Sequence, residues 1–390
     1  MVDQQKVDKM TQTMKANGID LLLCKLPENV LYLSGFWPAV GFSVVFIEKT
    51  GEITLITSKG EVKIADKSWA NETLTYQFLR TDVLPDPNRE LSELMTKVVT
   101  EKDLSKCTIG FEGSFEQVAG CMLGMKVIVP GQGWINTLKT LLPGANFVDA
   151  TSLLYEMRMV KTSHEIEAMT LANEIACFGL TAGKEFIKAG VKESEIASVI
   201  EGEIQSKGIG FKGTKMARGF AFVMSGPNGL EATRAFCITS DRVVEEGDSV
   251  LIELNTYADG YYSDLTRTYF AGEPSEEQKR VFETLKQAQS KASEVARDGC
   301  QAESVDKAAR DIIEKAGFGE YFTHHTGHGI GLCVHEGPSL HPRSEDLLSS
   351  GMVVTLEPGI YKPGVGGVRI EDNFLVTKTG TEVLYNFPSD

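Results

Sequence analysis

The chain has 390 residues, 42% hydrophobic and 24% charged, with 54 acidic side chains against 39 Lys and Arg and a formal net charge of −15. At ~150 residues per domain, that length suits two to three domains with sizeable cores, and the composition excludes disordered, collagenous and fibrous chains. The acidic balance argues against sequence-independent nucleic-acid binding, which needs a basic surface.

No apolar run approaches the ~18 residues of a membrane span. The opening decapeptide MVDQQKVDKM has no apolar signal-peptide core. Seven cysteines at 24, 107, 121, 177, 237, 300 and 333 are scattered, odd in number and without a CxxC pair. They read as thiols of a reducing compartment, so a cytoplasmic protein is expected.

In chain order, residues 3–17 have an amphipathic helical pattern that Gly18 ends. Residues 19–24 are a short apolar run and a buried-strand candidate. Residues 43–47 and 53–56 flank the polar stretch 48–52 as a hairpin. Residues 90–99 are helical, and 107–111 form another apolar strand. Helices and strands in turn predict an α/β N-terminal domain. Nothing before residue 150 gathers His, Cys, Asp and Glu at ligand spacing. Near residue 155 the pattern changes. Thr162 and Glu165 form a T-x-x-E capping box ahead of a long helical pattern. This places the boundary at 157, giving domains 1–157 and 158–390.

The second part repeats itself. Gly190 is followed by Ile196 at +6 and by Gly208 and Gly210; Gly299 is followed by Val305 at +6 and by Gly317 and Gly319. GDSVLIE at 247–253 matches GMVVTLE at 351–357, each a Gly turn, a β-rich run and a Glu. Two related helix-then-strand halves predict an α+β domain with pseudo-twofold symmetry, in which equivalent strands each deliver a carboxylate.

Four acids stand in apolar, β-rich surroundings: Glu253 in VLIEL, Asp264 in YYSDLTRT, Glu357 after MVVTL, and Glu371 after VRI. A single such acid is most simply an ion-pair partner. Four together are costly unless paired or metal-bound. Five of the six histidines (324, 325, 328, 335 and 341) fall in one window, with His328 set between glycines, where backbone can approach a ligand closely. Imidazole among carboxylates suits a divalent transition metal such as Mn, Fe, Co or Zn. Other templates fail: H-E-x-x-H, G-x-S-x-G and an intact P-loop are all absent.

These motifs, EGD at 246–248, YYSDLTRT at 261–268, GHGIGL at 327–332, VHE at 334–336, LEPGIY at 356–361 and GVRIED at 367–372, resemble the pita-bread metallopeptidases. The nearest resemblance is to Xaa-Pro aminopeptidases and prolidases; methionine aminopeptidases and creatinase are further relatives. NVLYLSGF at 29–36 resembles their N-terminal-domain signature, and RMVKTSHEI at 158–166 their domain junction. The resemblance implies two divalent metal ions held by Glu253, Asp264, His328, Glu357 and Glu371. Asp264 and Glu371 would bridge both ions, Glu253 would hold one, and His328 with Glu357 the other. It implies a metal-bridging hydroxide, a proton role for Glu357, substrate contact by His335, and an orienting or substrate-side role for Arg369. It further implies a homodimer acting on a small peptide.

Two positions depart from the pattern. The family usually has Asp at 253, one methylene shorter. It usually has a substrate-binding His at the position of Phe236, six residues before the Arg of SDR at 240–242. The activity the resemblance implies is hydrolysis of a peptide C–N bond of Xaa-Pro type, while these two departures favour the alternative. The alternative is creatinase-like hydrolysis of a small non-peptide C–N bond, without metal; a non-catalytic binding protein on the same scaffold would have lost more of the acids.

Overall fold

In the computed structural model, which describes residues 2–38, 43–77, 81–82, 86–114, 132–233, 238–385 and 387–388, the chain divides into two units, Met1–Arg158 and Met159–Asp390.

The first unit runs α1 (Gln4–Ala16), β1 (Leu21–Cys24), α2 (Pro27–Ser34), β2 (Val44–Glu48), β3 (Ile53–Ser58), α3 (Val62–Ala65), β4 (Glu72–Tyr76), α4 (Pro87–Glu101), β5 (Thr108–Phe111), α5 (Gln132–Leu141), β6 (Asn146–Asp149) and α6 (Thr151–Met159). Its strands form one mixed sheet in the order β4-β3-β2-β1-β5-β6. β2 and β3 pair antiparallel as the expected hairpin, and β5 pairs parallel with both β1 and β6. Leu21, Leu23, Val44 and Phe46 pack with Leu91, Met95 and Val98 of α4 and Leu138 of α5 in one core. The NVLYLSGF signature is α2, stopped by Gly35 in a left-handed conformation where a Cβ would lie 2.5 Å from the Trp69 ring. Buried Glu112 anchors the start of α2, accepting from the Lys25 and Leu26 amides and Asn29 Nδ2 at 2.8–3.0 Å. The signature thus builds its own unit.

The second unit begins at α7 (Ser163–Phe186), whose capping box is formed as the sequence predicts: Thr162 Oγ1 accepts from the Glu165 amide, and the Glu165 carboxylate from the Thr162 amide. Its first half adds α8 (Glu193–Gly208) and the antiparallel sheet β7 (Ala217–Ser225), β8 (Ser249–Ala258) and β9 (Tyr261–Phe270). The second half has α9 (Glu276–Val295), α10 (Ala302–Lys315), β10 (Gly327–Gly329), β11 (Glu336–Leu340), β12 (Val353–Leu356), β13 (Gly359–Lys362), β14 (Gly366–Arg369), β15 (Asp372–Val376) and β16 (Thr381–Val383). Five of its strands form a sheet in the order β11-β10-β12-β15-β16, and β13 and β14 form a ribbon.

Each half has its own core. Ile196 and Ile200 of α8 pack with Val223, Ile252 and Leu265, and Val305 and Ala309 of α10 pack with Val354, Leu356 and Ile370. The repeat read from the sequence is visible in the backbone. The paired glycines Gly190 and Gly299, and Gly247 and Gly351, all have φ between +76° and +94°; after the helices the left-handed glycines are Gly210 (+91°) and Gly317 (+83°), two positions apart in the repeat. Equivalent isolated bridges, Lys192 with Val243 and Gln301 with Leu347, precede α8 and α10. A third bridge, Thr266 with Glu371, joins the two halves. Among the described residues no helix is long and apolar enough to cross a membrane.

Candidate active site

The acids are positioned by strand register. β8 and β9 are joined by Asp259 and Gly260, both at positive φ as a tight two-residue hairpin requires. That turn fixes Asn255 opposite Asp264 and Glu253 opposite Thr266. Asn255 Nδ2 donates to Asp264 Oδ1 at 2.6 Å. Asn373 holds the Asp264 backbone twice, accepting from its amide at 3.1 Å and donating to its carbonyl at 2.8 Å. Opposite, the Glu371 amide donates to the Thr266 carbonyl at 3.0 Å, and Thr266 Oγ1 donates to Glu371 Oε2 at 2.7 Å. Glu371 sits between β14 and β15, and Glu357 one residue beyond β12, so both stand at strand ends rather than inside strands.

His328 is the centre of the short strand β10. Its flanking glycines serve neighbouring strands rather than a ligand: a Cβ on Gly327 would lie 2.0 Å from the Thr355 carbonyl, and one on Gly329 1.9 Å from that of Gly337. The loop before it is held by buried Asp306 of α10, which accepts from the Thr326 amide and hydroxyl at 2.9 Å. Nδ1 of His328 donates to the Gly329 carbonyl at 3.0 Å, since a carbonyl can only accept. The free lone pair therefore sits on Nε2. That atom faces Glu357 Oε1 at 3.4 Å and Asp264 Oδ2 at 3.8 Å.

Ligand atoms of Asp264, His328 and Glu371 all lie within 4.8 Å of one another, and the residues are only 3%, 4% and 1% exposed. Acceptors thus face acceptors in a buried space. Glu371 Oε1 has no hydrogen-bond partner there among the described residues. Burial, reinforced by the charges of Glu371 and Glu253, pushes the Asp264 carboxyl well above its usual range. Glu357 is pushed up by burial and then by Glu371. Burial, against the pull of Arg369, takes Glu371 to about 7. His328 is held neutral by burial and by neighbouring His335. A divalent cation is the group that satisfies this set: a neutral imidazole lone pair, mutually repelling carboxylates and an orphaned buried oxygen.

Glu253 and Arg369 form a side arm. Arg369 Nη2 donates to Glu253 Oε2, its Nε to Thr266 Oγ1 at 3.1 Å, and its Nη1 to the Tyr361 hydroxyl at 3.1 Å. The Tyr361 hydroxyl donates in turn to His324 Nε2 at 2.9 Å, because His324 Nδ1 already donates to the His325 carbonyl. Burial first, and then the charge of Arg369, push His324 down to about 3, so this histidine is a neutral acceptor. All three nitrogens of the Arg369 guanidinium thus point at protein groups. The His335 ring lies 4.1 Å, centroid to centroid, from that of His328, and its loop is tied down by the buried pair Lys161 and Glu336 at 3.2 Å. Phe236 lies outside the described residues; on its flanks Asn228 and Ser240 both bond Glu193.

Comparison with known proteins places this arrangement. Residues 167–378 match metallopeptidase family M24, and residues 6–160 match the creatinase/prolidase N-terminal domain. The chain belongs to metallopeptidase family M24. It is 34% identical over 380 residues to an Xaa-Pro dipeptidase of Pyrococcus horikoshii, covering 97% of this chain and 96% of that one. The crystal structure of the prolidase from Pyrococcus horikoshii OT3 superposes with a TM-score of 0.78 at 32% identity, covering 99% of both chains. An Xaa-Pro dipeptidase structure from Bacillus anthracis gives 0.80 at 30% identity, over 99% of this chain and 98% of that one. The M24 membership carries with it the pita-bread fold of the second unit and a dependence on divalent metal.

The raised carboxyls give a first prediction. Each is destabilising where it is ionised in the fold without a counter-ion, so its cost appears as pH rises from the ordinary value, 3.8 for Asp264 and 4.5 for Glu357 and Glu371, through the raised folded value. Metal binding needs the ionised form. The rise in Tm on adding Mn²⁺ should therefore be larger at pH 8 than at pH 6, as scanning calorimetry can read. An equal rise at both would mean that these carboxyls do not titrate in that interval.

Proposed function

We propose that this protein is a metal-dependent Xaa-Pro peptidase that cleaves the peptide bond of small substrates. The observation that carries this reading is the convergence of Asp264, His328 and Glu371 within 4.8 Å, with Glu357 beside His328. The names of its full-length relatives support it, and the whole set of acids favours it over creatinase-like, metal-free hydrolysis.

Glu253, Asp264, His328, Glu357 and Glu371 would hold two ions drawn from Mn, Co, Zn or Fe, with Mn the first choice. Bound there, such ions would supply polarisation of the scissile carbonyl and a water made nucleophilic at neutral pH. The protein's own groups do the rest. Asn255, Thr266 and Asn373 fix the carboxylates of Asp264 and Glu371 so that they need not reorganise. Glu357 takes the proton of the attacking water and returns it to the leaving amine. His335 lies beside His328 and would contact the substrate as negative charge develops on its carbonyl oxygen. Arg369 holds the Glu253 carboxylate in a charge-assisted bond and keeps that longer side chain in one orientation; from there it would act on substrate binding through Glu253.

A homodimer in the cytoplasm is our expected setting. The thiols of Cys24, Cys107, Cys177 and Cys300, none of them in a disulfide, support a reducing compartment.

Phe236 sets the specificity prediction. A His donor at that place would stabilise a carbonyl or carboxylate, and losing one such donor costs about 3 kcal/mol of transition-state binding. Plain Xaa-Pro dipeptides should be weak substrates, with better turnover where an apolar or compact group faces Phe236. The test is a panel of Xaa-Pro dipeptides, Xaa-Pro-Xaa peptides and small amides assayed with Mn, Co and Zn. A kcat/KM of about 10⁶ M⁻¹s⁻¹ on a plain dipeptide would show that Phe236 costs nothing. Turnover of small amides with no peptide cleaved and no metal bound would instead favour the creatinase-like reading.

A further inference from the structure

Among the described residues, the largest fully buried side chain is a charged one, Arg267 of β9. A buried guanidinium is costly unless every N–H is matched. Here all five are. Nη1 donates to the carbonyls of Thr266 and Glu371 at 2.8 and 2.7 Å. Nη2 donates to Asp372 Oδ1 at 2.5 Å and to the Phe387 carbonyl at 2.9 Å, and Nε donates to the Pro388 carbonyl at 2.9 Å. The Phe387 ring stacks on the guanidinium at 5.6 Å and packs against the core of the first half. The other oxygen of Asp372 accepts from Gln289 at 3.1 Å, and Gln289 also donates to the Leu356 carbonyl at 3.0 Å.

We propose that Arg267 is a positioning residue that uses the carbonyls of Phe387 and Pro388 to lock the backbone on which the metal ligands Glu371 and Glu357 stand. Two of its five bonds come from the segment after β16, far along the chain from the site. Two more fall on Glu371 and Asp372, and Gln289 passes the tie to Leu356, next to Glu357. Without the 387–388 carbonyls, two buried N–H groups of a cation lose their acceptors. The guanidinium must then shift or draw in water, and the carbonyl of Glu371 moves with it. The tail segment thereby becomes part of the metal site without touching it. This role rests on the proposed metal site.

The experiment compares three proteins by Mn²⁺ and Co²⁺ titration calorimetry, with urea unfolding as the control: the full chain, a chain ending at Tyr385, and Phe387→Ala. The shortened chain should bind metal about 10–100-fold more weakly, the usual cost of losing an outer partner of a metal site. Phe387→Ala keeps both carbonyls and should stay within about threefold of the full chain. Arg267→Lys, which offers at most three donors and no planar fork, should lose metal affinity as the shortened chain does. It decides the matter if the shortened chain does not fold cooperatively. Equal metal affinity of the full and shortened chains would overturn the proposal, as would a Phe387→Ala loss as large as that of truncation, which would assign the effect to packing. A full chain that binds no metal would instead sink the metal-site reading itself.

Discussion

Glu371→Ala should lose both metal binding and hydrolysis while remaining folded. Glu371 contributes an Oε1 with no hydrogen-bond partner among the described residues and an Oε2 oriented by Thr266, so as a ligand it would present one oxygen with the other fixed. The variant removes the carboxylate that lies within reach of both Asp264 and His328. We expect no metal retained after gel filtration and a fall in kcat/KM of at least ~10³, which is about 4 kcal/mol of transition-state stabilisation. Cooperative unfolding should persist. The substitution takes a buried negative charge away from a set of like charges, which offsets part of the lost hydrogen bond to Thr266. Metal analysis, steady-state kinetics and urea unfolding on one preparation separate these effects. Full metal content with full turnover would falsify the assignment of Glu371 as a ligand.

Why such a site was legible in the sequence, and where it was not, follows from how its residues are placed. The acids could be found because each is an anomaly in its surroundings: a carboxylate among Val, Leu and Ile has few explanations. The helix of residues 163–186 was legible from its cap, a local signal that needs no tertiary context. The repeat was legible because a left-handed glycine precedes each helix, Gly190 and Gly299, and another precedes each acid-bearing run, Gly247 and Gly351, with a Glu six residues on from each of the latter. The partners that orient the acids were harder. Asn255, Thr266 and Asn373 are ordinary polar residues in strands, and only register tells which acid each meets. Some of that register was available. A two-residue turn at Asp259 and Gly260 sets Asn255 against Asp264 by counting outward. The bridge from Thr266 to Glu371 joins residues 105 apart, and no local pattern predicts it. The role of the glycines around His328 was misjudged for the same reason. Sequence shows that a backbone comes close to something, but not that the something is the strands at Thr355 and Gly337. The Arg267 tie depends on two backbone carbonyls, which have no residue signature at all.

Glu357→Gln should separate metal binding from proton transfer. The other acids of the site are each fixed by a strong partner: Asp264 by Asn255 at 2.6 Å, Glu371 by Thr266 at 2.7 Å, and Glu253 by Arg369. Glu357 makes a longer contact, to Thr355 Oγ1 at 3.4 Å, and its side chain is 13% exposed against 4% for Asp264. Glu357 is thus the acid held by the longest hydrogen bond of the four, and only Glu253, at 19%, is more exposed. Without metal, burial and then the charge of Glu371 raise the Glu357 carboxyl. Gln keeps the size and a ligating oxygen but cannot take a proton. Metal affinity should fall by no more than about tenfold, whereas kcat should fall by about 10²–10⁴, the usual contribution of a general base. KM should change little, because the lost group acts on the proton and not on the bound peptide. A variant that retains kcat within tenfold would move the proton role to another group, with His335 the first to test. A variant whose metal affinity collapses as far as that of Glu371→Ala would show that Glu357 is needed chiefly as a ligand.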